Sequence, residues 1–309
     1  MPTLNKMIKY YKKSTVWTKL LLWFFILFII AMLIRKYKPV KEGFIQKEKF
    51  ILKEGEDVYD DFYVSIYDEL VFSEIKNDFE IGEIINTTHP SEESVLLDIG
   101  SGTGHHVDLF RKNGIEAIGI DISPAMVEKA QKKFPDSQYQ VGDALDFMQF
   151  PADSFTHITC LYFTIYYIKD KYRFFQNSFD WLMPGGYLVL HLVNRNNFDP
   201  ILPAADPLML VSPQKYAKKR ITNSLVKFDD FQYKADFKLE EGKNKGIFTE
   251  IFKDDGTSNT RQNIHTLYME TQKHILSQAK TAGFILLGKI DMLAAQYEYQ
   301  YIYILQKPE

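Results

Sequence analysis

The sequence predicts an α/β fold in which helices cover both faces of a doubly wound, mostly parallel sheet, behind one apolar N-terminal helix. Three observations predict it. Short apolar runs alternate with amphipathic helical stretches between residues 95 and 193. A glycine-rich loop at 98–104 lies where the first of those runs meets a helix. Residues 20–34 are 15 consecutive apolar residues.

The N-terminal part differs in charge from the rest. Residues 1–50 hold 11 Lys and Arg against 2 Asp and Glu, which leaves 26 and 38 for the remainder. An acidic body excludes nucleic acid as a main partner, since phosphate binding needs a basic footprint. Extending the apolar run back to Val16 gives a span at 16–34 with Lys19 as its single charge. About 20 apolar residues in a helix cross a bilayer core. Trp17 and Trp23 suit an interfacial zone. The run meets Arg35, Lys36 and Lys38 rather than a small-residue cleavage site, so it reads as a stop and not a cleaved signal. The expected organisation is a basic tail at 1–15, a transmembrane helix at 16–34, a tether at 35–55 and a catalytic domain at 56–309. The slight excess of basic residues after the span predicts a single-pass membrane protein with a cytosolic domain. A single cysteine, Cys160, excludes an internal disulfide.

In the body, 59–70 carries aromatics at helical spacing and 78–85 is amphipathic. Residues 95–99 read as a buried strand, and 105–112 as a helix closed by Asn113-Gly114. A second strand spans 117–121. Ser123 and Pro124 then supply an N-cap and a first helical residue. Strands follow at 139–141 and 155–160, a helix at 171–182 ending at Pro184-Gly185-Gly186, and a strand at 187–193. From about 198 to 270 the pattern changes to antiparallel strands at 231–239, 247–252 and 263–269, an inserted β cover. A helix near 271–281 leads to two last strands, 284–290 and 297–305, forming a hairpin. Ligands of such sheets bind beyond the carboxyl ends of the strands, where strand order reverses.

The loop reads Asp98-Ile99-Gly100-Ser101-Gly102-Thr103-Gly104. Glycines let a ligand lie against the backbone, and a helix start offers free N–H groups to an anion. The dinucleotide spacing Gly-x-Gly-x-x-Gly fails, because His105 and Val107 stand where its last glycine belongs. Asp121, 23 residues after Asp98, can accept both hydroxyls of a ribose. Gly142-Asp143-Ala144 offers a carboxylate and a backbone N–H to an adenine edge.

Together with Leu182-Met183-Pro184-Gly185-Gly186-Tyr187-Leu188 and Gly119-Ile120-Asp121-Ile122-Ser123-Pro124-Ala125-Met126, these segments resemble the class I S-adenosylmethionine-dependent methyltransferases. The resemblance covers roughly 56–197 and 271–309. It implies a Rossmann-like, seven-stranded sheet with an antiparallel last strand, and S-adenosyl-L-methionine as cofactor. It implies that Gly100, Gly102 and Gly104 border the methionyl part, that Asp121 holds the ribose, that Ile122 packs on adenine, and that Asp143 and Ala144 read the adenine edge. Asp98, Ser101, Thr103, Met126 and Leu161 complete the cofactor set. One departure is Phe155-Thr156, where the family often has Phe-Asp.

Methyl transfer needs placement more than covalent help. A general base is required only where the acceptor loses a proton. The candidates are His191, Tyr63, Tyr67 and Tyr162. Substrate contacts are expected from Tyr162, Phe163, Tyr166, Asn194 and Arg195. Adjacent His105 and His106 lack metal-ligand spacing, so no metal is expected. The expected function is methyl transfer to a small-molecule or lipid acceptor at a membrane. The competing readings are a protein methyltransferase near the membrane and a cofactor-binding scaffold without catalysis.

Overall fold

A computed structural model describes residues 11–36, 46, 48–205, 212–240 and 242–309; within the first helix it leaves out the side chains of 31 and 33–36. Most of the expected basic tail (1–10) and of the tether (37–45 and 47) lies outside the described residues. The chain divides into two units, residues 1–42 and 43–309.

In the first unit, helix α1 (Val16–Lys36) follows the apolar run. Its apolar side chains are exposed all round, Leu21 at 68%, Phe24 at 67% and Leu27 at 60% among them. Among the described residues no helix is long and apolar enough to cross a membrane. The expected transmembrane anchor therefore draws no support from these residues.

The second unit is built on a seven-stranded sheet. Its strands are β2 (Val95–Ile99), β3 (Glu116–Asp121), β4 (Gln138–Val141), β5 (Phe155–Cys160), β6 (Leu182–Val193), β11 (Ile285–Asp291) and β12 (Gln300–Gln306), in the order β11-β12-β6-β5-β2-β3-β4. β4, β3, β2, β5 and β6 pair in parallel, while β12 is antiparallel to both of its neighbours. The antiparallel last strand is as expected. β2 is the switch point, with chain order running one way through β3 and the other through β5.

Helices α3 (Glu74–Thr88), α4 (His105–Lys112) and α5 (Pro124–Lys133) bury Ile84, Phe110 and Ala130 against one face. Helices α7 (Lys171–Trp181) and α8 (Gln272–Thr281) bury Phe174, Trp181 and Ile275 against the other. Ser123 caps α5 by accepting the Met126 N–H at 3.2 Å. The Pro184-Gly185-Gly186 segment, expected to end a helix before a strand at 187, lies inside β6. Register shifts there between the Phe155–Leu182 and His157–Tyr187 pairs, so those residues form a bulge.

A second sheet covers the first. Its strands are β1 (Phe50–Glu54), β7 (Asn223–Lys227), β8 (Phe231–Leu239), β9 (Lys245–Asp254) and β10 (Thr260–Tyr268), in the order β1-β10-β9-β8-β7. The insertion thus forms four strands rather than three. Phe50–Glu54, placed within the tether by its sequence, pairs in parallel with β10. Alternation along the cover strands points Tyr233, Phe237 and Phe252 inward. Helix α2 (Asp61–Val71) packs Tyr63, Ile66 and Leu70 into that third core.

Candidate active site

The site begins where β2 ends. Gly100, Gly102 and Gly104 all have positive φ (72°, 53° and 88°), which residues with a Cβ avoid. Gly100 also sits hard against its neighbour: a Cβ there would lie 2.3 Å from Thr164 Cγ2. The loop is tied to β3, since the N–H groups of Gly100 and Ser101 both donate to the Ile120 carbonyl, at 2.8 and 2.9 Å.

Asp121 closes β3 and takes one backbone donor on each oxygen. Gly102 N–H reaches Oδ2 at 3.0 Å and Ser123 N–H reaches Oδ1 at 2.9 Å. Burial pushes its carboxyl up to about 6, against the pull of those two donors. Asp98 is 2% exposed and accepts the Thr159 hydroxyl at 2.7 Å. Burial raises its pKa as well.

These residues face a cavity of about 780 Å³ beyond the carboxyl ends of β2, β3, β4 and β5. Of the expected cofactor contacts, Asp98, Gly100, Ser101, Gly102, Thr103 and Asp121 line it, as do Ile122, Met126, Asp143, Ala144 and Leu161; Gly104 does not. Ile122 presents an exposed side chain and Met126 backs it from the core. Asp143 holds its own turn by accepting the Leu145 N–H at 2.8 Å.

The donor set fits S-adenosylmethionine. A carboxylate has about four acceptor positions. Asp121 has given one to each backbone donor, so it retains room for a ribose diol. The glycine loop leaves backbone open for the methionyl part, and Asp98 offers a carboxylate beside it.

Helix α2 closes over this loop. Asp68 accepts the Thr103 hydroxyl and Lys133 Nζ, both at 2.6 Å, and lies 3.3 Å from His105 Nε2. Burial alone would raise the Asp68 pKa, but the hydrogen bonds from His105, Lys133 and Thr103 hold it well below the usual carboxylate range. Behind the loop, Glu80 accepts Lys76 Nζ at 2.7 Å and pairs with His106 Nε2 at 2.8 Å.

The candidate bases separate into two groups. Tyr63, Tyr67 and Tyr162 line the cavity. Burial raises all three pKa values, so each alone is an un-ionised phenol near neutral pH. His191 lies inside β6, fully buried and outside the lining, and burial pulls its pKa down to about 4. Tyr162 is held at φ 52°, an uncommon conformation for a bulky residue.

The expected substrate contacts also divide. Tyr162 and Phe163 line the cavity, whereas Tyr166, Asn194 and Arg195 do not. The Tyr166 hydroxyl accepts the Val193 N–H at 2.8 Å. Arg195 Nη1 donates to Asn244 Oδ1 and to the Met269 carbonyl, both at 2.6 Å, and so ties β6 to the cover loop instead of facing an anion. Asn194 accepts the N–H groups of Asn196, Asn197 and Phe198 in a turn.

Sequence reasoning missed Tyr59 on the cavity wall, and Glu250 and His265 behind it. The signal for Glu250 and His265 was alternation. Glu250 shares its parity with inward Phe252, and Arg261, Asn263 and His265 occupy the inward positions of β10.

Residues 97–190 match the family model described as a methyltransferase domain. Over 145 residues the chain is 33% identical to a dTDP-4-amino-2,3,4,6-tetradeoxy-D-glucose N,N-dimethyltransferase of Saccharopolyspora spinosa, covering 44% of this chain and 57% of that protein. It is 29% identical over 137 residues to a dTDP-3-amino-3,4,6-trideoxy-alpha-D-glucopyranose N,N-dimethyltransferase of Streptomyces venezuelae, covering 43% and 55%. The chain thus spans a little over half the length of these curated relatives. Among solved structures, an S-adenosylmethionine-dependent methyltransferase from Clostridium acetobutylicum superposes with a TM-score of 0.60 at 16% identity, covering 80% of this chain and 98% of that one. The CcbJ methyltransferase from Streptomyces caelestis gives 0.61 at 15%, covering 82% and 98%. The fold is therefore that of these methyltransferases, and residues 97–190 match a methyltransferase domain.

Proposed function

We propose that this chain is an S-adenosylmethionine-dependent methyltransferase whose acceptor is a small molecule with a nucleophilic nitrogen. One observation carries the reading. Asp121 stands between two backbone donors, with its remaining acceptor positions toward the cavity, at the switch point of the sheet.

When bound, the cofactor supplies a methyl group already activated on a sulfonium. The chain's own residues then bind, orient and exclude water. Asp121 holds the ribose, Ile122 and Met126 pack on the adenine, and Asp143 and Ala144 meet its edge. The glycine loop and Asp98 receive the methionyl end. Helix α2 and the cover sheet close the cavity over the reacting groups, and in-line placement supplies much of the rate.

The acceptor class rests on the lining. Tyr59, Tyr63, Tyr67, Tyr162 and Tyr167 surround the cavity, and Glu54, Glu56 and Asp57 lie on its wall. Aromatic faces and carboxylates favour an amine over an anion. The two curated relatives quoted above are named for methylating amino sugars. The exposed apolar side chains of α1 favour a second reading, a membrane-borne acceptor. On this reading residues 16–34 are a single-pass anchor and the catalytic unit faces the cytosol. The support is the 15-residue apolar run between basic flanks, since a helix that is apolar all round needs a non-aqueous surrounding.

The test is incubation of the full chain in detergent with methyl-labelled S-adenosylmethionine and separate metabolite, lipid and protein pools. Label in amine metabolites is the expected result. Label only in lipid selects the second reading, and label only in protein overturns both. Recovery of the chain in soluble fractions after carbonate washing of membranes would overturn the anchor.

A further inference from the structure

We propose that Tyr167, His265 and Glu250 form a proton relay from the acceptor into the cover sheet. The proposal rests on the methyl-transfer reading and deepens it. Its two inner members lie outside the matched stretch 97–190, so the comparisons assign them no role.

The chain of contacts starts at the cavity wall. Tyr167, in the short helix α6 (Thr164–Tyr167), lines the cavity. Its hydroxyl lies 3.0 Å from His265 Nδ1. The other ring nitrogen, Nε2, lies 2.8 Å from Glu250 Oε2. Glu250 is fully buried and His265 is 1% exposed, so neither touches bulk water. Tyr233 donates to Glu250 Oε1 at 2.8 Å, and Asn263 Nδ2 approaches Oε2 at 3.4 Å.

Donor bookkeeping fixes the direction. An ionised Glu250 only accepts, so His265 carries its proton on Nε2. His265 Nδ1 is then an acceptor, and the Tyr167 hydroxyl donates to it. This is the order carboxylate, imidazole, hydroxyl that activates a terminal hydroxyl in other folds, here ending on a phenol. Burial raises the Tyr167 pKa, while the Tyr59 hydroxyl beside it lowers it. Tyr167 therefore serves as an un-ionised relay and not as a standing tyrosinate.

The step balances. As the acceptor nitrogen takes the methyl group, its proton passes to Tyr167 Oη. The Tyr167 proton passes to His265 Nδ1, and the imidazolium faces the Glu250 carboxylate. The electron pair of the broken sulfur–carbon bond stays on sulfur, leaving S-adenosylhomocysteine. Tyr167 is the catalytic residue, and His265 and Glu250 are positioning residues. The titratable groups around the imidazole are Tyr59, Tyr63 on α2, Tyr167 on α6 and Glu250 on β9. Tyr233 on β8 faces Glu250, and Arg261 on β10 is held by Asp60 and Asn263.

The alternative is a purely structural network, and the test separates the two. Tyr167→Phe, His265→Gln and Glu250→Gln are made in the full chain in detergent and assayed with the metabolite fraction that the unaltered chain labels. General acid–base help is worth about 10²–10⁴-fold. Tyr167→Phe should lower kcat by roughly 10²-fold or more with a smaller change in KM. The two inner variants should also change the shape of the pH–rate profile, which a purely structural network would leave unchanged. S-adenosylhomocysteine affinity, by calorimetry, should stay within about threefold in all three. A Tyr167→Phe kcat within about twofold of the original overturns the relay. So does a loss of rate that tracks a loss of S-adenosylhomocysteine binding. Nitrogen-15 NMR of labelled histidine checks the donor order without an acceptor: a proton on His265 Nε2 is expected, and a proton on Nδ1 overturns the relay. If the unaltered chain labels nothing, the methyl-transfer reading fails while the tautomer still judges the relay.

Discussion

The two sheets of the second unit treat polar groups in opposite ways. In the seven-stranded sheet the working carboxylates sit at strand ends. Asp121 closes β3, Asp98 lies one residue from the end of β2, and Asp121 opens on the cavity. In the five-stranded cover the polar groups lie mid-strand on the inward face, where Glu250, Asn263 and His265 are sealed from water. The first arrangement leaves acceptor positions free for a ligand. The second uses up its positions internally and reaches the cavity by a hydrogen bond from Tyr167. A cofactor wall has to stay open, whereas a buried network can only position or relay.

If that contrast holds, damage to the cover should cost stability and damage to the strand ends should cost cofactor binding. The largest effect is expected from Phe252→Ala. Phe252 is fully buried and meets the rings of Phe62 and Tyr233 at 5.4 and 5.1 Å. The change should cost about 3–5 kcal/mol in denaturant unfolding and leave S-adenosylmethionine affinity within about threefold. A matching loss of affinity would mean that the two sheets are not separable in this way.

Asp121→Ala should do the reverse. Losing both ribose acceptors costs about 3 kcal/mol, roughly a 100-fold weaker Kd, with little change in the unfolding midpoint. Competition calorimetry against S-adenosylhomocysteine measures it. Gly100→Ala has a smaller effect than either. It forces a side chain to φ 72° and drives a Cβ into Thr164, so about 2 kcal/mol of loop strain should appear mainly as weakened binding.

The smallest effect is that of pH. The Asp121 carboxyl, raised from 3.8 to about 6 by burial, must be ionised to accept both ribose hydroxyls. Cofactor affinity should therefore fall roughly tenfold from pH 7 to pH 5. The sign for stability is opposite. A raised pKa means that the folded state holds this proton more tightly than the unfolded chain, so ionisation disfavours the fold as pH rises from about 4 to about 6. Constant affinity down to pH 5 would remove Asp121 as an ionised acceptor.

The same contrast explains what could be read from the sequence. The strand-end site was legible because it is local. Loop spacing, a carboxylate at each strand end and the Ser123-Pro124 cap are each set by a few adjacent residues. The cover was legible only as alternation. Its edge strand, Phe50–Glu54, pairs with residues some 210 positions away, and nothing in a five-residue segment announces a parallel partner. Glu250 and His265 draw no assignment from the sequence, and the register Asn263↔Glu250 and His265↔Phe248 places both on the inward face. Arg195 was a substrate candidate from its position just after β6, and its partners, Asn244 and Met269, come from the distant cover.

Titration of S-adenosylmethionine into the full chain in detergent, followed by calorimetry with oxidised nicotinamide dinucleotide as the control, tests the central claim most directly. Saturable one-site binding of S-adenosylmethionine is expected, weakened roughly 100-fold by Asp121→Ala, with no heat from the dinucleotide. No binding of S-adenosylmethionine, or binding that is unchanged in Asp121→Ala, would contradict it.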